Sequence, residues 1–158
     1  MIRIGQKAPD FSLPDQNGTI HKLSGYLGQW VLIYFYPKDN TPGCTKEACA
    51  LRDNFSEFKK IKAVVLGVSA DSVASHQKFA NKFRLPFPIL SDENKTGLTK
   101  YGVWQKKNLL GKIFWGTKRM SFLINPKGEI VKIYQAVKPP THAQEVIDDL
   151  KNLERQGV

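Results

Sequence analysis

The chain has 158 residues, with 24 lysines and arginines against 14 aspartates and glutamates, and a formal net charge of +10. Hydrophobic residues make up 41% and charged residues 24%, proportions that exclude disordered and fibrous proteins. This length suits a single domain over residues 1–158, large enough to form a core without disulfide bonds.

The same composition argues against several classes of partner. The longest apolar run, residues 30–36, is far shorter than the roughly 20 residues that span a bilayer. The first residues, MIRIGQKAPDF, lack the apolar segment of a signal peptide. The basic residues are scattered, without a zinc-finger or RNA-binding motif. We therefore expect a cytoplasmic protein with a solvated basic surface, and no nucleic-acid or membrane partner.

Apolar runs and turn residues predict alternating strands and helices. Asn17-Gly18 lies between two short apolar segments and predicts an N-terminal β-hairpin. Residues 30–36, WVLIYFY, predict a strand buried on both faces and ended by Pro37. The later predictions are a helix at about 44–61, a strand at 63–69, a helix at about 73–83, a strand at 87–90, a short helix near 98–101, strands at 120–124 and 129–134, and a final helix at 141–153.

This order predicts an α/β fold with a central mixed sheet flanked by helices. The turn at residues 125–128 makes the last two strands an antiparallel pair. The glycine-punctuated segment at 102–116 carries no predicted element.

Two cysteines, Cys44 and Cys49, are too few for a disulfide framework and too widely spaced for a typical zinc site. We therefore expect no metal and no cofactor. His21, His76 and His142 lack a motif and are interpreted as surface residues.

Cys44 is predicted to lie in the first turn of a helix. Thr41 is a favourable N-cap residue and Pro42 suits the first helical position. Free backbone N–H groups and the helix dipole at this end stabilise an anion, and so favour the thiolate form of Cys44. Cys49 lies more than one turn further on and loses most of this effect.

Helical geometry also separates the two cysteines. At 100° per residue, Cys44 shares an apolar stripe and is expected at the mouth of a partly apolar pocket, whereas Cys49 lies about 140° away on the polar face. Their Cα atoms are about 8.6 Å apart in an ideal helix, and a disulfide rarely tolerates more than about 7 Å. A bond between them therefore requires the first turn to unwind. The alternative is two unrelated core cysteines. The residues of the apolar stripe are Cys44, Ala48, Leu51, Phe55 and Phe58.

Several motifs together resemble the peroxiredoxins, and in particular the Q subfamily, also called bacterioferritin comigratory protein. The resemblance covers nearly the whole chain. Its most specific element is a P-x-x-x-T-x-x-C loop followed by a second cysteine five residues on. The matching segments are Pro37–Cys44, Thr45–Asp53, Gly5–Phe11, Leu90–Asp92, Tyr101–Trp104 and Arg119–Ile124.

The resemblance implies a thioredoxin-like fold and a monomer that reduces hydrogen peroxide and organic hydroperoxides. Thioredoxin or a similar dithiol protein would be the reductant. Cys44 would be the peroxidatic cysteine and Cys49 the resolving cysteine. Pro37, Thr41 and Arg119 match the remaining active-site positions of the family.

Each of these positions also has a simpler interpretation. Thr41 can serve only as an N-cap, Pro37 can merely end a strand, and an arbitrary arginine such as Arg119 is usually a solvated surface group. Glu47 can order the first turns of the helix or only complement its N-terminus. The tryptophans Trp30, Trp104 and Trp115 are expected to lie in the core or to line a pocket.

Two other functions compete with a thiol peroxidase. A thiol–disulfide oxidoreductase acting on proteins typically has C-x-x-C, so the four-residue spacing counts against it. A redox-inactive basic module that recruits nucleic acid would bind in a salt-dependent way.

Overall fold

A five-stranded mixed sheet forms the centre of the structure, a computed structural model that describes residues 2–157. The strands are β1 (Ser12–Pro14), β2 (Ile20–Lys22), β3 (Trp30–Phe35), β4 (Ala63–Ser69), β5 (Ile89–Ser91), β6 (Trp104–Leu109), β7 (Lys112–Thr117), β8 (Met120–Ile124) and β9 (Ile130–Tyr134). The helices are α1 (Pro42–Asp53), α2 (Phe55–Lys60), α3 (Val73–Phe83), α4 (Thr96–Lys100) and α5 (His142–Arg155), with a 3-10 turn at Leu23–Tyr26.

The central sheet has the strand order β5-β4-β3-β8-β9. Strands β3, β4 and β5 are parallel, whereas β8 is antiparallel to both β3 and β9. The β1–β2 pair is a separate N-terminal hairpin. The predicted fold class, a mixed α/β fold with an N-terminal hairpin, is therefore confirmed.

Strand β3 separates two apolar cores, because successive side chains of a strand point to opposite faces. Leu32 and Tyr34 pack in one core with buried residues of α1, α2, α3 and α5. Ile33 and Phe35 pack in the other, with residues of β1, α4 and β8. All six residues of β3 are buried, which explains why its sequence shows no polar alternation.

Two predicted elements differ from the structure. The single helix expected over about 44–61 is interrupted at Asn54, which lies between α1 and α2. Segment 102–116, without a predicted element, forms the antiparallel hairpin β6–β7. Leu110 and Gly111 at its tip both have positive φ, 51° and 82°, the geometry of a two-residue hairpin turn. Leucine is atypical in that conformation, so the turn had no recognisable sequence pattern.

The prediction that the histidines are surface residues is wrong for two of the three. His76 and His142 are fully buried, and each connects its own helix to another part of the fold through a ring nitrogen. His76 meets an Asp39 carboxylate oxygen at 2.6 Å and the Leu90 carbonyl at 2.9 Å. His142 meets the Ser121 hydroxyl at 2.8 Å, and burial lowers its pKa.

The third histidine, His21, is half-buried between the Tyr26 hydroxyl and the Asp15 carboxylate. The tryptophans lie in the core or line a groove, as predicted: Trp30 is buried in the core, whereas Trp104 and Trp115 line a groove beside Pro37. Within residues 2–157, no helix combines the length and the apolar character that a membrane crossing demands.

Candidate active site

The loop between β3 and α1 carries the predicted site residues, and the Asp39 carboxylate anchors it. The Tyr36 hydroxyl donates a hydrogen bond to one oxygen of Asp39 at 2.6 Å, and the Ser75 hydroxyl donates to the other at 2.8 Å. His76 meets that second oxygen at 2.6 Å. The backbone N–H of Asp39 donates to Asp71 at 2.9 Å. The anchoring residues come from two separated segments, 36–39 and 71–76, so local sequence patterns do not show that they meet.

Cys44 lies in the first turn of α1 and is 1% exposed. Arg119 Nη2 donates a hydrogen bond to Cys44 Sγ at 3.3 Å. The sheet register explains this contact: Met120 at the start of β8 pairs with Phe35 at the end of β3. Arg119, one residue earlier, therefore lies where β3 gives way to the loop and α1. The structure brings these two predicted residues together.

Glu47 holds the other side of the Arg119 guanidinium. Arg119 Nη1 donates to Glu47 Oε1 at 2.6 Å, and the Glu47 side chain is fully buried. Its second oxygen, Oε2, has no hydrogen-bond partner among the described residues. Burial raises the pKa of Glu47 from 4.5 to about 7, and the nearby positive charge of Arg119 only partly opposes this. Glu47 thus orients Arg119, a role that neither sequence interpretation included.

The spacing in α1 offered one indication of this role. Glu47 follows Cys44 by three residues, so both side chains lie on the same helix face. That face is the buried one, and a buried carboxylate needs a charged or hydrogen-bonding partner.

Gly43 allows the guanidinium to approach the helix. A Cβ atom at this position would lie 3.0 Å from Arg119 Nη2, closer than ordinary packing permits. A side chain at position 43 would therefore push Arg119 away from Cys44.

Thr41 occupies the N-cap position, but its side chain makes no capping hydrogen bond. Its hydroxyl instead donates to the Lys38 carbonyl at 2.8 Å. Thr41 therefore occupies the predicted N-cap position, but the predicted capping hydrogen bond of its side chain is absent. With its proton used, the hydroxyl oxygen offers acceptor sites, and the first N–H groups of α1 keep their capacity to stabilise an anion.

Pro37 is half-buried and lines a groove beside the hairpin. The groove is partly apolar, but Cys44 does not line it, and the predicted pocket mouth at Cys44 stays a prediction. The Cys44 side chain is covered instead by its buried packing in the core. The other groove residues are Lys38, Ala70, Asp71, Trp104, Lys107, Phe114, Trp115, Gly116 and Thr117.

Cys49 lies in the middle of α1 and is half-buried. The contrast with the buried Cys44 confirms that the two cysteines face in different directions. Both are free thiols and both belong to one continuous helix. The geometric requirement for unwinding before a bond forms therefore applies to this conformation.

Glu47→Gln is expected to change how stability depends on pH. Between pH 4.5 and about 7, folded protein keeps a Glu47 proton that the unfolded chain has released. Raising the pH through this window therefore destabilises the wild-type protein relative to the variant by on the order of 3 kcal/mol. Urea unfolding at several pH values measures the difference.

The exposed Glu93 provides the matched control. Glu93→Gln should leave the pH dependence of the unfolding free energy unchanged. A constant offset between the wild type and Glu47→Gln at all pH values would contradict the raised pKa of Glu47.

Comparisons with known proteins identify the family of the chain. The AhpC/TSA family matches residues 4–133. The chain is 48% identical over 149 residues to the putative peroxiredoxin bcp of Coxiella burnetii, covering 94% of this chain and 99% of the relative. It is 45% identical over 150 residues to peroxiredoxin Bcp of Escherichia coli K12, covering 95% and 96%.

Solved structures show the same relationship. A PrxQ mutant of Xylella fastidiosa superposes with a TM-score of 0.92 at 37% identity, covering 98% of both chains. The bacterioferritin comigratory protein of Xanthomonas campestris, studied for alkyl peroxide reduction, superposes with a TM-score of 0.86 at 39% identity, covering 90% of both chains. The chain therefore belongs to the AhpC/TSA family, as an enzyme of the Bcp or Q subfamily of peroxiredoxins with the thioredoxin fold and a thiol-dependent peroxidase activity.

Proposed function

We propose that Cys44 is the peroxidatic cysteine and that it reduces hydrogen peroxide and organic hydroperoxides in antioxidant defence. The Cys44 thiolate attacks one peroxide oxygen and the O–O bond breaks. The departing oxygen takes a proton and leaves as water or an alcohol, while Cys44 becomes a sulfenic acid. The observation that carries this assignment is the hydrogen bond from Arg119 Nη2 to Cys44 Sγ at 3.3 Å, at the start of α1.

Arg119 has two tasks in this scheme. Its fixed positive charge favours the thiolate over the thiol, and its remaining N–H groups can polarise a peroxide oxygen. Glu47 is a positioning residue, because its 2.6 Å contact fixes the guanidinium beside the sulfur. Cys44 is buried away from water. Because water does not compete there, the interaction between the Arg119 guanidinium and the sulfur is stronger.

Thr41 and Pro37 complete the proposed site. The Thr41 hydroxyl donates to Lys38, so its oxygen can accept a hydrogen bond from the peroxide O–H. Contact of Thr41 with the thiolate as a donor would require its hydroxyl to turn away from Lys38. Pro37 follows β3, seven residues before Cys44, and lacks an N–H group; its proposed role is to shield the thiolate from water.

Cys49 is the proposed resolving cysteine. Its thiolate attacks the Cys44 sulfenic sulfur, the S–OH oxygen leaves as water, and a Cys44–Cys49 disulfide forms. Thioredoxin or a similar dithiol protein then restores both thiols by exchange and is itself oxidised. The monomeric state, the single-domain organisation, the cytoplasmic location and the absence of a nucleic-acid partner stay predictions.

Serine variants separate the roles of the two cysteines. Cys44→Ser should abolish peroxide consumption, because no nucleophile remains at the site. Cys49→Ser should consume one equivalent of peroxide and stop as a sulfenic acid, which dimedone labelling and mass spectrometry detect. Similar multiple-turnover activity of both variants with thioredoxin present would contradict the assignment.

Removing the Arg119 charge should lower the reactivity of Cys44. In Arg119→Met, alkylation of Cys44 by iodoacetamide should shift to higher pH, because the thiolate loses its cationic partner. The Cys49→Ser background restricts the reaction to Cys44. Lys118→Met, which removes the adjacent positive charge, is the control, and an equal shift in both variants would contradict a specific role of the 3.3 Å contact.

Oxidation should reduce the helix content. Because the helical cysteines are too far apart to bond, the disulfide form must lose the first turns of α1. Far-ultraviolet circular dichroism of reduced and peroxide-treated protein measures this loss, with Cys49→Ser as the control that cannot form the bond. Unchanged helicity after complete disulfide formation would show that the two sulfurs meet without unwinding.

A further inference from the structure

The β6–β7 hairpin carries an exposed apolar tip that the proposed chemistry does not use. Leu110 is 97% exposed and Ile113 is 71% exposed, both unusual for large aliphatic side chains. Leu109, Phe114 and Trp115 beside them are also exposed. These five residues define the hairpin tip, a contiguous stretch of apolar surface on a two-stranded sheet that is not hydrogen-bonded to the central sheet.

The apolar residues lie on both faces of the hairpin. Cross-strand partners share a face, so Ile113 and Trp115 point to one side and Phe114 to the other, together with Leu109. A protein groove or a second copy would typically bury one face of such a hairpin. Apolar side chains around the whole tip fit a surrounding apolar medium better.

The segment of the chain that contains the tip carries only basic charged residues. Residues 94–128 contain eight lysines and arginines and no aspartate or glutamate. Lys106 lies over the Trp115 ring, 5.9 Å from its centroid, and Lys112 pairs with Leu109 across the hairpin. Lysines that flank exposed aromatic and aliphatic residues match the interface of an anionic bilayer, where the apolar groups insert and the ammonium groups meet lipid phosphates.

We propose that the hairpin tip docks the protein on an anionic lipid surface. The apolar tip enters the interfacial region of the bilayer, and the exposed Lys106 and Lys112 contact the headgroups. This proposal differs from the sequence-based expectation of no membrane partner, which rested on the absence of a spanning segment. The same hairpin lines the groove at Pro37 through Lys107 and Phe114, so docking also brings this groove to the lipid surface.

Vesicle binding tests the proposal. The protein should co-sediment with vesicles of equimolar phosphatidylglycerol and phosphatidylcholine, and bind at least about tenfold more weakly to phosphatidylcholine alone. The double variant Leu110→Glu/Ile113→Glu should bind the anionic vesicles at least about tenfold more weakly than the wild type. Both positions are solvent-exposed, and hydrogen peroxide reduction without vesicles should be unchanged.

A matched control variant distinguishes insertion of the tip from a general effect of net charge on vesicle binding. Ile4 and Ile20 are 64% and 60% exposed elsewhere on the surface, so Ile4→Glu/Ile20→Glu changes the net charge equally. This variant should keep most of the vesicle binding. Equal loss in both double variants, or no binding of the wild type to anionic vesicles, would overturn the proposal. A dimer in sedimentation velocity that Leu110→Glu/Ile113→Glu disrupts would assign the tip to a second copy and also overturn it.

Discussion

The Arg119 guanidinium is the interaction on which the candidate site depends. One side donates to Cys44 Sγ and the other to Glu47 Oε1, so a single cation contacts two groups that can each carry negative charge. Both groups are buried, and buried charges are expensive without a partner. The geometry therefore places one guanidinium between the proposed nucleophile and a carboxyl group whose pKa burial raises to about 7.

The fold makes this contact by strand pairing rather than by proximity in the sequence. Arg119 is 75 residues from Cys44, yet the antiparallel pairing of β8 with β3 places it at the end of β3 where the loop to α1 begins. A one-residue slip of that register would turn Arg119 to the other face of the sheet. Alternate residues of β3 pack in two different cores, and this packing fixes the register. The same side chains therefore determine both the core and the position of Arg119.

Local sequence patterns predicted much of the fold and the positions of both cysteines on α1. Helix capping residues, apolar periodicity and turn signals depend on near neighbours, and these identified the start of α1 and the two faces of Cys44 and Cys49. The buried His76 and the Glu47–Arg119 pair depend on contacts between distant segments, which a single sequence does not show. The β6–β7 hairpin was missed because its turn uses Leu110 at positive φ, against the usual residue preference.

The two ends of α1 are held very differently. Its last turns are pinned, since Arg52 Nη1 donates to the Phe83 carbonyl at 2.7 Å and the side chain of Asn54 donates to Ala50. Its first turn lacks a side-chain cap. The interruption at Asn54 then isolates α2, which Phe58 packs into the core separately. In the proposed cycle, unwinding that starts at Cys44 would therefore stop before the last turns of α1, and the rest of the fold would stay rigid during each oxidation.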